Sequence, residues 1–126
     1  MRIPISIRLR IIWFTLIAAM AVASMLPRDG VFATIRASYD RGWMHFLVYA
    51  VLAALAMFTW KSKTAILSAL GLFAFSGVLH MFHLLFSGSA IDYFGMIVDF
   101  LGIVAGILLG INIIVLRSRV KQGAET

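Results

Sequence analysis

Four stretches of this 126-residue chain, 11–26, 42–60, 65–86 and 93–116, are apolar over about the length a lipid bilayer demands. A hydrocarbon core of about 30 Å is crossed by roughly 20 largely apolar residues in a helix, whose backbone N–H and C=O groups bond one another along the segment. The chain is 63% hydrophobic, with a mean hydropathy of +1.03, against roughly 45 to 50% apolar residues in an ordinary soluble domain. The expected fold is therefore all-α: a polytopic membrane protein with four transmembrane helices in one bundle. The four spans use most of the length, so 1–126 is expected to be a single membrane domain, closed by a polar tail at 117–126.

The charge pattern gives an orientation. The formal charge of +6 comes from eleven basic residues that sit almost wholly at the ends of the apolar stretches, with no polar domain to present them to nucleic acid. With the N-terminus in the cytoplasm, that side carries eight basic residues, Arg2, Arg8, Arg10, Lys61, Lys63, Arg117, Arg119 and Lys121, against three outside, Arg28, Arg36 and Arg41. Basic residues concentrate on the cytoplasmic side of membrane proteins, so both termini of this multi-pass protein are expected there. The connections at 27–41 and 87–92 then face outward. No cysteine is present, which removes disulfides and thiolate chemistry.

Two local features admit alternatives. Val31, Phe32, Ile35 and Tyr39 fall at helical spacing, which suggests a short helix lying in the interface within the first connection. The first span also has a rival reading as a secretory signal, with a basic start and Ala21-Val22-Ala23 as a cleavage-like site that would leave Ser24 first, although its run of about 16 residues is long for a signal core. Tyr39, Trp43, Trp60 and Tyr93 stand at span ends, where amphipathic rings anchor helices to the interface.

The fourth span carries Gly102, Gly106 and Gly110, a double G-x-x-x-G. Missing side chains let two helices approach closely, and packing is a main source of helix association in lipid. The seam is expected to be a contact inside this bundle, with a homodimer as the alternative.

The exceptions inside the apolar stretches are ionisable. His80 and His83 share one helix face near the outer end of the third span, and Asp92 and Asp99 share one face of the fourth. His45 lies in the first turn of the second, just after Asp40 and Arg41. An Asp at the middle of a membrane helix costs roughly 2.5 to 3.5 kcal/mol, so such groups face a bundle interior, a watery cavity or one another. The topology brings Asp40, Arg41, His45, His80, His83, Asp92 and Asp99 to one membrane face. Three readings fit them: a hydrogen-bonded brace between helices, a site for an anionic or hydroxylated headgroup or glycan, or a metal-assisted hydrolytic centre. His-x-x-His lacks the glutamate base of a zincin motif. Imidazole titrates near pH 6.5 when unperturbed, which would make such a pocket responsive to an acidic exterior. Ser24 is a further candidate for the network, although a hydroxyl in a helix more often bonds the preceding turn.

In order and spacing the chain resembles the VanZ-like membrane proteins. That family's first span ends in Ser-x-x-Pro, here Ser24-Met25-Leu26-Pro27; an Asp-Lys pair, His-Phe and Tyr follow, here Asp40-Arg41, His45-Phe46 and Tyr49. The third span usually carries Glu-x-x-Gln, followed by a Gly-Arg loop, an aspartate and Asn-x-x-Gly, positions that fall here on His80, His83, Gly88-Ser89, Asp92, Asp99 and Gly102. The departures cluster in the polar set: histidines stand for the Glu and Gln, Ser89 for the arginine, Asp99 for the asparagine, and Gly95 where a second aspartate is common. The resemblance implies a small bacterial cell-envelope protein, placed in the inner membrane, in a family named for a component linked to teicoplanin resistance, and implies no particular activity.

The functional expectation is recognition or organisation of an envelope glycolipid or cell-wall precursor through an outward polar pocket of Asp40, Arg41, His45, His80, His83, Asp92 and Asp99. The alternatives are a metal-assisted hydrolase or transferase on a lipid-linked substrate, and a structural partner subunit. No cofactor, resident metal or catalytic residue is assigned, and the bilayer is the expected partner.

Overall fold

The computed structural model describes residues 2–25, 30–34, 37, 42–87 and 93–125, excepting the side chains of Phe32, His83, Phe86 and Ser87. Four long helices carry the fold: α1 (Ile5–Met25), α2 (Gly42–Thr59), α3 (Ser62–Ser87) and α4 (Tyr93–Glu125), with a 3-10 turn at Gly30–Phe32. All four are long and apolar enough to cross a membrane. The turn at Gly30–Phe32 opens on a glycine with φ of 78°, a conformation that only glycine adopts without strain. Helical geometry also holds at Ala33, Thr34 and Ala37, while Ile35 and Tyr39 of the expected interfacial helix lie outside the described residues.

The helices overrun the apolar stretches at both ends of the chain. α1 starts at Ile5, with the Pro4 carbonyl accepting from the Ile7 and Arg8 amides at 3.1 Å each. α4 continues through the expected polar tail to Glu125. Arg, Lys, Gln, Ala and Glu are good helix formers, and a helix already nucleated in lipid is extended at little cost. Hydropathy marks where lipid ends, and the helix follows its own backbone bonds beyond that point.

α2 is the central element and touches the other three helices, meeting α4 along the longest interface. Its buried side chains, Tyr49, Leu52, Ala53, Ala56 and Met57, recur at the three- and four-residue spacing of one helix face. The facing stripe of α4 is Asp99, Gly102, Ile103, Gly106 and Gly110. The two helices run parallel: a Cβ built on Gly102 would lie 2.6 Å from the Phe46 carbonyl oxygen, one on Gly106 would collide with the Ala50 carbonyl and reach 2.8 Å from Ala53 Cβ, and one on Gly110 would reach 2.8 Å from Met57 Cβ. The double G-x-x-x-G is thus filled by α2 of the same chain, as expected for a contact inside the bundle.

α3 follows α2 after Trp60 and Lys61 and packs on both α2 and α4 through the stripe Ala65, Ala69, Leu72 and Ser76. Phe73 of α3 also meets Phe100 of α4 edge to face, with centroids 5.4 Å apart.

α1 rests on α2. The buried Trp13 donates its indole N–H to the Leu52 carbonyl at 2.9 Å and stands edge-on to Trp60 at 5.0 Å, with Phe14 6.4 Å from the same ring. Trp60 therefore clasps α1 as well as standing at a span end, whereas Trp43 and Tyr93 are exposed there, as interface anchors would be. Ser24 bonds the Ala21 carbonyl at 2.7 Å, the local bond expected of a helical hydroxyl.

The glycine seam yields a direct test. Gly106→Val should destabilise the protein in detergent by about 1 to 3 kcal/mol, because the new side chain meets backbone that cannot rotate aside. Gly77→Ala, where a Cβ meets nothing within 4 Å, should change stability by less than about 1 kcal/mol. Equal losses in a denaturant-unfolding series would remove the seam from the account.

Candidate functional site

Asp99 is the centre of the polar set. It is 1% exposed, six residues into α4, which places it about 9 Å along the helix at 1.5 Å per residue. The stripe that carries the three glycines also carries Asp99, and Gly102 lies against Phe46, the neighbour of His45. The close approach of α4 to α2 is what brings the carboxylate within reach of that histidine.

Three side chains from two other helices converge on it. His45 Nδ1 of α2 is 3.2 Å from Asp99 Oδ1, His80 Nε2 of α3 is 3.2 Å from Oδ2, and the Ser76 hydroxyl of α3 donates to Oδ2 at 2.5 Å. Ser76 and His80 are four residues apart, so one helix face delivers both to the same oxygen. An ionised carboxylate only accepts, which requires a hydrogen on Nδ1 of His45 and on Nε2 of His80. Among the described residues no buried side-chain nitrogen or oxygen lacks a partner.

Of the seven residues expected in the pocket, His45, His80 and Asp99 meet. Asp40, Arg41 and Asp92 lie outside the described residues, as does the side chain of His83. Ser76 was not anticipated. Its signal was its position one turn before His80 on the same face, but serine in an apolar helix ordinarily bonds its own backbone, as Thr59 does here to the Leu55 carbonyl at 2.6 Å.

The wiring limits the chemistry. Serine, histidine and aspartate are all present, but Ser76 and His80 both bond the carboxylate, so the imidazole does not stand between hydroxyl and acid as it must to activate a nucleophile. Among the described residues no group of three His, Cys, Asp or Glu side chains is placed to hold a metal ion. The imidazoles keep an edge toward their surroundings, at 17% exposure for His45 and 14% for His80, while the carboxylate does not. Asp99 orients the rings, and the rings are what another molecule could meet.

Fold and site together define a multi-pass helical membrane protein with a carboxylate-centred polar knot linking three of its helices. No protein-family model, curated protein or solved structure matches the chain.

If Asp99 is the shared acceptor, its partners are coupled through it. Ser76→Ala should cost roughly 0.6 to 1.7 kcal/mol of detergent stability, the range of interhelical hydrogen bonds in membranes. Asp99→Ala should cost more, since it strands three donors at once. In the Asp99→Ala background a further His80→Ala change should have little effect; full additivity in the double-mutant cycle would show that the histidine is held by something else.

Proposed function

We propose that the chain is a VanZ-like protein of the bacterial inner membrane, with both termini cytoplasmic, whose outward-facing polar pocket recognises or organises an envelope glycolipid or cell-wall precursor. The observation that carries this reading is the presentation of two partly exposed imidazoles, from α2 and α3, by one buried carboxylate. They stand at the end of the bundle where α2 begins, α3 finishes and α4 begins.

Buried polar groups that merely tie helices together need no exposed edge. Here the carboxylate is enclosed and its acceptor oxygens are bonded, so a ligand would meet the rings. A protonated ring donates to an anionic oxygen with the strength of a charge-assisted bond, and Arg41 would add fixed positive charge at the mouth. Hydroxyls of a glycan would then fall to Asp40 and Asp92, the two carboxylates nearer the surface in this topology. His83 completes the proposed lining.

The hydrolase or transferase alternative draws on the same histidines, since an imidazole oriented by a carboxylate is the usual form of a general base. A metal-assisted version would need a third ligand beside His45 and His80. As for a structural subunit, a homodimer through Gly102, Gly106 and Gly110 would compete with α2 for the face it already covers.

Two measurements test the proposal. Arg41→Ala should lower the anionic lipid or glycan that copurifies with the protein while its thermal midpoint in detergent stays unchanged; unaltered lipid content would sink recognition. The chain has no cysteine of its own, so Lys61→Cys and Glu125→Cys variants report topology cleanly. Both should resist an impermeant maleimide on intact cells and react after lysis, and labelling from outside would reverse the orientation.

A further inference from the structure

Asn112 of α4 stands within the apolar stretch and points away from the bundle. Its side chain is exposed, whereas the glycine stripe of the same helix is buried against α2. It lies two residues past Gly110, about 160° round the helix, and five residues before Arg117, about 7 Å inside the end of the apolar run at 1.5 Å per residue. Thr59 and Ser118 turn their hydroxyls back onto their own helices, to the Leu55 and Ile114 carbonyls. Among the described residues no hydrogen bond takes up the Asn112 amide. A carboxamide in hydrocarbon is costly unless its N–H and C=O groups find partners.

The residues around Asn112 keep a period of their own. Phe94, Leu101, Leu108 and Val115 recur every seven residues, and Val98, Ala105 and Asn112 fall between them at alternating steps of four and three. That spacing draws one straight stripe along α4, the pattern of a seam between two helices that cross at a shallow left-handed angle. Phe94, Leu101, Leu108 and Val115 are all exposed. α2 takes the glycine face of α4 and α3 meets it at Phe100, so the stripe is left open on the outside of the bundle.

Lipid tails cover apolar side chains but offer an amide nothing. An occupant of the stripe must therefore bring both a donor and an acceptor to the depth of Asn112. A second copy of this chain does so. Copies of one sequence share one orientation in the membrane, so a pair related by a two-fold axis along the membrane normal sets each residue of the stripe against its own counterpart at the same depth. Asn112 then meets Asn112 of the second copy, and a carboxamide is complementary to itself, each N–H donating to the other C=O. We propose that α4 is a self-association helix, through which two copies pair in parallel with Asn112 as the polar lock of the seam. Arg119, the next residue on that face, lies past the apolar stretch, where water and headgroups screen its charge. The pairing leaves the glycine face on α2 and the Asp99 centre as they are, and it does not depend on what that centre recognises.

The absence of native cysteine allows single cysteines to be placed on the full chain and oxidised in liposomes. Leu101→Cys, Leu108→Cys and Val115→Cys should each form a disulfide between copies, whereas Ile114→Cys, on another face of α4, and Leu70→Cys of α3 should not; all five positions are exposed. Energy transfer between copies labelled at Lys61→Cys should report a dimer whose dissociation constant, as a mole fraction in lipid, rises about 3- to 17-fold in Asn112→Leu, the equivalent of one interhelical hydrogen bond. Leucine keeps the stripe apolar, so the loss reports the amide, and Asn112→Gln should restore much of the affinity. A chain that stays monomeric at every protein-to-lipid ratio, or pairs only with a different membrane protein, would overturn the proposal. So would disulfides that form as readily at Ile114→Cys or Leu70→Cys as on the stripe, or an Asn112→Leu dimer as tight as the native one.

Discussion

A carboxylate in an apolar bundle must be surrounded by donors, and most of what positions these helices relative to one another serves that requirement. Asp99 has no exposed surface with which to borrow water, so its partners must come from neighbouring helices. His45 reaches it because α4 lies close against α2, and α4 lies close to α2 because three residues on the face that carries the aspartate have no side chain. Glycine and aspartate here form one device. The small residues supply proximity, and proximity makes the buried charge tolerable.

Lipid offers no hydrophobic drive for helix association, since hydrocarbon tails are as apolar as leucine. The contacts that set this arrangement are accordingly of two kinds, close backbone packing and interhelical hydrogen bonds, and the helices use them in different proportions. The α2 and α4 pair relies on the seam, with the His45 to Asp99 contact just before its first glycine. α3 combines small apolar residues toward its start with the Ser76 and His80 contacts further on. α1 is fixed to α2 by an indole N–H and a set of edge-on aromatic rings. The bundle thus combines a close-packed pair, a neighbour joined to it by packing and hydrogen bonds, and a helix fastened by aromatic rings.

The spans were legible in the sequence because the bilayer imposes a length, and few other environments select four apolar runs of that size. The ends were less legible: α4 outlasts its apolar stretch by nine residues, 117–125, because helix propensity and hydropathy are different properties of Arg, Lys and Glu. Topology placed His45, His80 and Asp99 at one end of the bundle, and their direct contact there is added by the structure. Ser76 did not, because its hydroxyl competes locally for its own backbone in most helices and gives no sign of facing elsewhere. Nor could spacing alone say that Trp60 would hold α1, since an anchoring ring and a packing ring occupy the same place in the sequence.

Under the proposed VanZ-like relationship the substitutions at the centre acquire a physical logic. The family pattern places an acid on the third span and an amide on the fourth, at the positions of His80 and Asp99. Here the acid stands on the fourth and a nitrogen donor on the third, 3.2 Å apart. The polar contact between α3 and α4 is thus made by one carboxylate, whose oxygens are met by His45, Ser76 and His80. With the acid on α4, donors from α2 and α3 meet on one helix face, the same face that the glycine seam holds against α2.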